Sequence, residues 1–258
     1  MRITALAENT CSCGLPCEHG LSLYIDLGDL VLLFDTGQSG LFAENAEALG
    51  IDLSGVDICV LSHGHYDHGG GLKDLFALNS KAKVYMSRYA FDPHYNGTEK
   101  YIGLDSSLME HGDRIVFTDG VTGIAPGLTL YSCNDSQRRY DVDTAGLYAE
   151  IEGEMIPDDF RHEHYLLIER DGKRTLISGC SHKGVLNIAE WFRPDTLVGG
   201  FHFMKAGCDV ELRRRAELLA SYDTRYITCH CTGEEQYRFM RGYMDRLEYL
   251  STGQTIEI

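Results

Sequence analysis

The chain has 258 residues, of which 43% are hydrophobic, so it is long enough to bury a sizeable core. Its formal net charge is −16 and it has no run of Lys and Arg that would follow a phosphate backbone, which argues against a nucleic-acid partner. No apolar stretch is long enough to cross a bilayer, and the N-terminus lacks a secretory signal pattern. We therefore expect a cytoplasmic protein with no membrane partner, in which the nine cysteines are reduced.

Strands and helices alternate in the first third of the chain. Strands are predicted at 2–9, 21–27 and 30–35, followed by a helix at 41–49, a strand at 57–61, a helix at 72–78 and a strand at 83–86. The Gly28-Asp29 pair predicts a hairpin turn between the second and third strands. This alternation indicates α/β layering.

The loop after the first strand is rich in cysteine. Cys11, Cys13, Cys17 and His19 lie within nine residues, and they are either ligands of a structural zinc ion or incidental thiols in a loop. No second pair of cysteines follows at the spacing of a zinc ribbon, which favours the loop.

The strongest motif follows the predicted strand at 57–61. His63, His65, Asp67 and His68 place four metal ligands within six residues, where a buried strand gives way to a glycine-rich turn. His63 and His65 are two residues apart and can converge on one ion, whereas the adjacent Asp67 and His68 point differently and suit a second ion. Imidazole and carboxylate ligands suit zinc, iron, manganese or nickel.

Residues 87–160 show weaker periodicity, with short strands predicted only near 114–118 and 128–132. A long irregular segment within a compact domain is typically a functional cover, so we predict a lid over the site. Arg138 and Arg139 in this segment are candidates for contact with an anionic substrate.

Regular structure returns in the last third of the chain. We predict strands at 165–169, 174–178, 196–203, 226–228 and 254–258, with helices at 185–192, 209–221 and 234–249. Three of these strands end in candidate ligands: Cys180 with His182, then His202, then His230. Strand ends at one edge of a sheet line a common crevice, so these residues are expected to meet the His63–His68 turn.

The Ser62–His68 segment closely resembles the His-x-His-x-Asp-His signature of the metallo-β-lactamase superfamily. This resemblance implies an α/β fold, a four-layer αββα sandwich with two mixed β-sheets, formed by residues 1–258 as a single domain. It also implies two divalent metal ions at one edge, with Asp35 supporting the histidine turn from behind.

The same resemblance suggests roles for the later residues. Cys180 replaces the aspartate that bridges the metals in most members, and His230 matches the last histidine ligand. The histidine that normally precedes the bridging residue has no clear counterpart; His182 is the preferred substitute, with His162 and His164 as alternatives. The predicted ligands are His63, His65 and His182 for one ion and Asp67, His68 and His230 for the other, with Cys180 beside or between them.

Further motifs indicate which branch of the superfamily the chain resembles. Glu-His-Gly-Leu-Ser, Gly-Cys-Ser-His-Lys-Gly, Gly-Gly-Phe-His-Phe and His-Cys-Thr-Gly together resemble the branch labelled 7,8-dihydropterin-6-yl-methyl-4-(β-D-ribofuranosyl)aminobenzene 5′-phosphate synthase. By analogy with phosphodiesterase branches, in which a histidine ends the corresponding strand, His202 is predicted to contact the substrate or donate a proton.

We therefore expect a metal-dependent hydrolase that uses a metal-bound hydroxide on a small, anionic substrate, which is phosphorylated, pterin-like or an ester. Asp67 and His202 are the predicted catalytic residues. Zinc is the expected metal, with iron, manganese or nickel as alternatives. The alternative function is a non-hydrolytic metal protein that uses the same site for ligand sensing or for oxygen or redox chemistry.

Overall fold

The computed structural model describes residues 1–11 and 13–258, and within them the chain forms eighteen strands and six α-helices. The strands are β1 (Arg2–Ala7), β2 (Ser22–Asp26), β3 (Val31–Phe34), β4 (Ile58–Val60), β5 (Lys83–Ser87), β6 (His94–Asn96), β7 (Lys100–Tyr101), β8 (Ile115–Thr118), β9 (Val121–Ala125), β10 (Leu128–Tyr131), β11 (Leu147–Ile151), β12 (Glu154–Pro157), β13 (Tyr165–Arg170), β14 (Lys173–Ile177), β15 (Thr196–Gly199), β16 (Arg225–Thr228), β17 (Leu247–Tyr249) and β18 (Thr255–Glu257). The helices are α1 (Leu41–Ala48), α2 (Tyr66–Gly69), α3 (Leu72–Leu78), α4 (Val185–Phe192), α5 (Val210–Ala220) and α6 (Glu234–Arg241).

Two seven-stranded sheets dominate the fold. The first has the order β18-β1-β2-β3-β4-β5-β8 and the second the order β17-β16-β15-β14-β13-β10-β9. Both are mixed: β3, β4, β5 and β8 run parallel in the first, as do β14 to β17 in the second, whereas the remaining neighbours are antiparallel. Parallel pairing matters for function, because it brings the carboxyl ends of successive strands to the same edge.

Side chains that alternate along the strands build the layers. Leu32 and Phe34 point into the core between the two sheets, whereas Leu33 points outward to the core that α1 and α3 cover. In the second sheet Leu166 points inward and Leu167 points outward, beneath α4, α5 and α6. This alternation is the period of two expected of a strand that is buried on both faces. The structure confirms the αββα sandwich.

The segment 87–160 is more regular than its sequence indicated. It contains β6 to β12, and β12-β11-β6-β7 form a small third sheet. The missed hairpin between β11 and β12 turns at Glu152 and Gly153, which both have positive φ, as a tight hairpin turn requires. Its acidic, weakly alternating sequence concealed these strands, so the expectation of irregular structure was wrong.

The C-terminal helix is shorter than predicted. It ends at Arg241, and Leu247–Tyr249 instead forms β17, which pairs in parallel with β16. Glycine at 242 follows the last turn, which favours helix termination, and the buried Leu247 then packs in the second sheet. None of the described residues form a helix long and apolar enough to span a membrane.

Candidate metal centre

The parallel strands deliver polar residues to one edge of the sandwich. Asp35 follows β3, His63 follows β4, Cys180 follows β14, His202 follows β15 and His230 follows β16. Asp35, His202 and His230 have φ values of 61°, 56° and 49°, which are uncommon for residues other than glycine. Such backbone strain persists where the surroundings hold the residue firmly, and it clusters at functional sites.

His68 and His230 face each other through their Nε2 atoms. The Asp35 carboxylate accepts a hydrogen bond from His68 Nδ1 at 2.7 Å, and Asn9 Oδ1 accepts one from His230 Nδ1 at 2.7 Å. Each Nε2 is therefore unprotonated in the neutral ring. The two Nε2 atoms nevertheless lie 3.2 Å apart, with both rings fully buried. Two nitrogens bound to one tetrahedral zinc ion at about 2.0–2.1 Å lie about 3.3 Å apart, so this pair has the spacing of metal ligands.

Asp67 and Cys180 lie beside this pair. Asp67 Oδ2 is 3.5 Å from His230 Nε2 and 3.9 Å from His68 Nε2, and Cys180 Sγ is 3.3 Å from His68 Nε2. Burial raises the pKa of the Asp67 carboxyl, but the surrounding histidines outweigh burial and hold that pKa well below its usual value. Burial, together with the neighbouring Cys231 thiol, raises the pKa of Cys180 well above its usual value. Cys180 therefore needs a cation beside it to become a thiolate.

A second group forms around His63. Its Nδ1 lies 2.8 Å from Ser62 Oγ, which in turn donates to Asp35 at 2.7 Å, so His63 Nδ1 carries the proton. His63 Nε2 lies 3.3 Å from His182 Nε2. One nitrogen from each of His63, His65 and His182 lies within 4.8 Å of the others, and all three side chains are buried.

The two other histidines considered for this site have different roles. His162 Nδ1 accepts a hydrogen bond from the Gly64 backbone N–H at 2.9 Å, so its Nε2 carries a proton. His164 Nδ1 is 3.2 Å from Thr118 Oγ1, and His164 belongs to none of the metal-competent clusters among the described residues. The geometry therefore favours His182 as the third member of the His63 group.

These side chains are suited to a divalent metal. Burial lowers the pKa of His63, His65 and His182 well below the usual value, and it lowers the pKa of His230 to about 4. These four imidazoles are neutral at pH 7, the form that binds metal. Two further groups of ligating atoms share a residue with the His63, His65 and His182 group: His63 with His68 and Cys180, and His65 with His94, Asp158 and His162. Two more groups lie nearby: Cys180 with His230 and Cys231, and Asp67 with His19 and His230.

Two buried carboxylates that the sequence analysis did not single out hold the ligand-bearing turns. Glu8 accepts hydrogen bonds from the His230 backbone N–H at 2.6 Å and from the Tyr249 hydroxyl at 2.7 Å. Glu163 accepts a hydrogen bond from the His182 backbone N–H at 2.7 Å. Both side chains are fully buried. Only their positions in the folded chain reveal these roles, because isolated acidic residues carry no pattern in sequence.

A cavity of about 220 Å³ opens onto both groups of ligands. Besides the candidate ligands, Lys100, Lys205 and His202 line it. The His202 ring is 4.4 Å from that of His182, and burial lowers the pKa of His202 to about 4. Arg138 instead donates to the Asp159 carbonyl, and Arg139 lies 3.8 Å from Glu190, so the cations that face the cavity are the two lysines.

Among residues 1–11 and 13–258, the cysteines of the cysteine-rich loop belong to no metal-competent cluster. Cys11 makes an isolated bridge to Thr252, and Cys13 and Cys17 are exposed. Ser12 lies outside the described residues. His19 in the same loop does approach the site, because its Nε2 is 3.2 Å from Asp67 Oδ2.

A two-sheet sandwich with histidines, a carboxylate and a thiol at the strand ends defines a class of metal-dependent, hydrolase-like proteins. The chain belongs to the Metallo-beta-lactamase superfamily, whose sequence profile matches residues 15–222. A crystal structure of Tm1679, a metal-dependent hydrolase of the β-lactamase superfamily, shares 32% identity with a TM-score of 0.85, covering 100% of this chain and 99% of that one.

Two curated proteins from Methanocaldococcus jannaschii are also similar to the chain. One, an uncharacterised protein, is 29% identical over 90% of each chain. The other, 7,8-dihydropterin-6-methyl-4-(β-D-ribofuranosyl)-aminobenzene-5′-phosphate synthase, is 25% identical over 100% of this chain and 96% of its own. These comparisons confirm the resemblance to the superfamily and to the named branch.

Proposed function

We propose that the protein is a hydrolase of a small anionic substrate and that it uses two divalent metal ions. The first ion would be held by His63, His65 and His182, and the second by Asp67, His68 and His230, with Cys180 next to the second. The observation that carries the proposal is the facing pair His68 and His230, whose buried Nε2 atoms lie 3.2 Å apart. With both rings neutral, these two atoms are acceptors that a cation between them would satisfy. Burial lowers the pKa of His68, but Asp35 and Asp67 outweigh burial and raise that pKa, so a proton held between the two rings takes the place of the cation when no metal is bound.

The metals would supply the activation of water and the polarisation of a phosphoryl or carbonyl oxygen. The chain's own residues would bind and orient the substrate. Lys100 and Lys205 give the cavity positive charge, which favours an anion even though the whole chain carries −16. His202 would donate a hydrogen bond to an oxygen that gains negative charge during the reaction, a role supported by its position in the cavity lining.

The substrate class rests on the cavity and the relatives. A volume of about 220 Å³ holds a small group such as a phosphate ester with part of its leaving group. A relative at 25% identity is named for a pterin- and phosphate-containing product, which supports a small phosphorylated, pterin-like or ester substrate. Imidazole nitrogens at both positions, with a carboxylate and a thiol at the second, support zinc as the metal, ahead of iron, manganese or nickel.

The proposal is tested by purifying the protein without added metal, measuring its metals by plasma emission spectroscopy, and screening phosphodiester, phosphomonoester and thioester substrates. We expect two ions per chain and measurable turnover. His65→Ala and Asp67→Ala should each lose metal and turnover, because each removes one proposed ligand. Full metal occupancy in both variants would refute the ligand assignment.

His202→Ala separates substrate contact from metal binding. We expect the variant to retain its metals and to lose about 100-fold or more in turnover, since a hydrogen bond to developing negative charge contributes on that order. Lys205→Ala serves as a comparison, because loss of a cation should mainly raise KM for an anionic substrate. Unchanged turnover of His202→Ala would remove His202 from the reaction.

A second candidate is a non-hydrolytic metal protein that handles oxygen or electrons. It is favoured by two buried thiols, Cys180 and Cys231, whose sulfurs lie within 4.8 Å of each other and of a His230 nitrogen, since thiolates also suit iron. An iron-loaded protein without turnover on any of the substrate classes would support this candidate over hydrolysis.

A further inference from the structure

A buried group of polar side chains lies behind His65 and belongs to neither proposed ligand set. His94 begins β6, Asp158 follows β12 and His162 precedes β13, and each is at most 3% exposed. One ligating atom from each of these three residues lies within 4.8 Å of the others and of a His65 nitrogen. We refer to them as the His94–Asp158–His162 triad.

Hydrogen bonds fix which nitrogens of the triad carry protons. The Gly64 backbone N–H donates to His162 Nδ1 at 2.9 Å, so His162 Nε2 is protonated and donates to Asp158 Oδ2 at 3.2 Å. His94 Nδ1 lies 3.1 Å from the same oxygen. Because an ionised carboxylate only accepts hydrogen bonds, His94 Nδ1 is also a donor. The lone pair of neutral His94 is therefore on Nε2.

That lone pair has no partner, and neither does a nitrogen of the neighbouring ligand. Nε2 of His94 and Nε2 of His65 are both buried without a hydrogen-bond partner. The two rings lie edge to face with their centroids 5.5 Å apart. Leaving two buried polar atoms unpaired costs free energy that one shared hydrogen bond would recover.

Three of the proposed ligand histidines have an outer hydrogen-bond partner, whereas His65 Nε2 and His182 Nδ1 are buried without one. His68 Nδ1 donates to Asp35, His63 Nδ1 to Ser62, and His230 Nδ1 to Asn9. Metal-binding histidines almost always have such an outer partner, which sets the tautomer and the orientation of the ring. His65 has no such partner in this structure, and His94 is the unpaired acceptor beside it.

We propose that His94 is the positioning residue for His65. His94 Nε2 accepts a hydrogen bond from His65 Nε2–H, which leaves His65 Nδ1 unprotonated for the metal. Asp158 and His162 hold His94 in the tautomer that makes this possible. This inference rests on the proposed function to the extent that it takes His65 as a metal ligand.

The turn at residues 158–162, which carries Asp158 and His162, also contacts His182, the other proposed ligand of the first metal ion. Asp158 Oδ1 accepts the Phe160 backbone N–H at 2.7 Å, and the Phe160 ring stacks on His182 at 4.7 Å with an interplanar angle of 12°. The turn thus contacts His182 directly and reaches His65 through His94. A third metal ion bound by all three residues of the triad would need a lone pair on His162 Nε2, which would move the ring proton to Nδ1. The Gly64 N–H could then no longer donate to His162 Nδ1, so the hydrogen bond seen there argues against a third ion.

The tautomer of His65 tests the inference without any metal. We would treat the full-length protein with a chelator and record long-range proton–nitrogen correlation spectra of its histidine rings. His65 should be protonated at Nε2 in the wild-type protein and in His94→Gln, whose amide oxygen can replace the acceptor. In His94→Leu the proton should move to Nδ1 or be shared. A His65 tautomer that is the same in all three proteins would overturn the proposal.

Metal affinity provides the second measurement, by competition with a chromophoric zinc chelator. His94→Leu should lower the affinity for one of the two zinc ions by about 10- to 100-fold, which is the usual effect of losing an outer hydrogen-bond partner of a ligand. His94→Gln should restore most of that affinity. His164→Leu, an equally buried histidine outside the triad, should bind like wild type. Equal losses in His94→Leu and His164→Leu, or a third zinc ion lost only in His94→Leu, would contradict a positioning role. If wild type binds no zinc, the proposed function fails, while the tautomer measurement still decides the hydrogen bond.

Discussion

At the scale of single residues, Asp35 connects the two metal positions. Its carboxylate accepts hydrogen bonds from His68 Nδ1, from the Ser62 hydroxyl and from the Ser62 backbone N–H, and Ser62 in turn contacts His63. One buried carboxylate therefore sets the tautomer of a histidine in each proposed ligand set. Such outer carboxylates raise the basicity of the ligands and fix their orientation.

Asp35→Asn should therefore weaken the binding of both metal ions. Asparagine tolerates the positive φ of this position, but its amide presents donors to groups that are themselves donors. We expect about a 10- to 100-fold loss in zinc affinity, measured by chelator competition, with an unchanged far-ultraviolet circular dichroism spectrum. Affinity equal to that of wild type would show that Asp35 does not position the ligands.

The sequence predicted some of these residues and not others. His63, His65, Asp67 and His68 are adjacent in the chain, so their spacing alone indicated a metal site. The partners that fix them come from distant elements: Asn9 is 221 residues from His230. A single asparagine or glutamate has no periodic signal, and its role depends on how the chain folds around it.

At the scale of elements, strand ends pack very closely where the two sheets meet. Gly179 follows β14, and a Cβ added to it would lie 2.2 Å from Ser62 Oγ and 3.2 Å from His63 Nδ1. The carboxyl ends of β4 and β14 are therefore held at a separation that only glycine permits. This contact places Cys180 and His182 next to the His63–His68 turn.

Gly179→Ala should destabilise the protein and disturb His63. Overpacking of this kind typically costs about 1–3 kcal/mol, and for a chain of this size each kcal/mol lowers Tm by about 2–4 °C. We expect a lower Tm and weaker zinc binding than in Gly123→Ala, a strand glycine that has no atom within 4 Å of the added Cβ. Equal Tm and zinc affinity in the two variants would contradict this packing.

Elements with long apolar runs were predictable, whereas elements stabilised by distant partners were not. β4 is buried throughout and reads as a continuous apolar segment, and β14 ends in the buried apolar pair Leu176 and Ile177. β11 and β12 carry glutamates and pair mainly with each other and with β6, so their sequences resemble loops. β17 was missed because its three residues pair in parallel with β16 only after α6 has ended at Arg241.

At the scale of the whole molecule, the sandwich makes one site from residues far apart in the chain. The first sheet supplies the His63–His68 turn, and the second supplies Cys180, His182 and His230. The proposed metals therefore lie between the carboxyl ends of strands from both sheets. The small third sheet adds Asn96 and Lys100 to the cavity. Local patterns indicated α/β layering, whereas the four-layer arrangement was predictable only through the resemblance to a known superfamily.

The most direct test of the account is anomalous X-ray diffraction from crystals of the zinc-loaded protein, recorded at the zinc absorption edge. We predict two peaks per chain, one within bonding distance of His63, His65 and His182 and the other within bonding distance of Asp67, His68 and His230. Zinc peaks elsewhere on the chain, with neither of these groups occupied, would contradict the central claim.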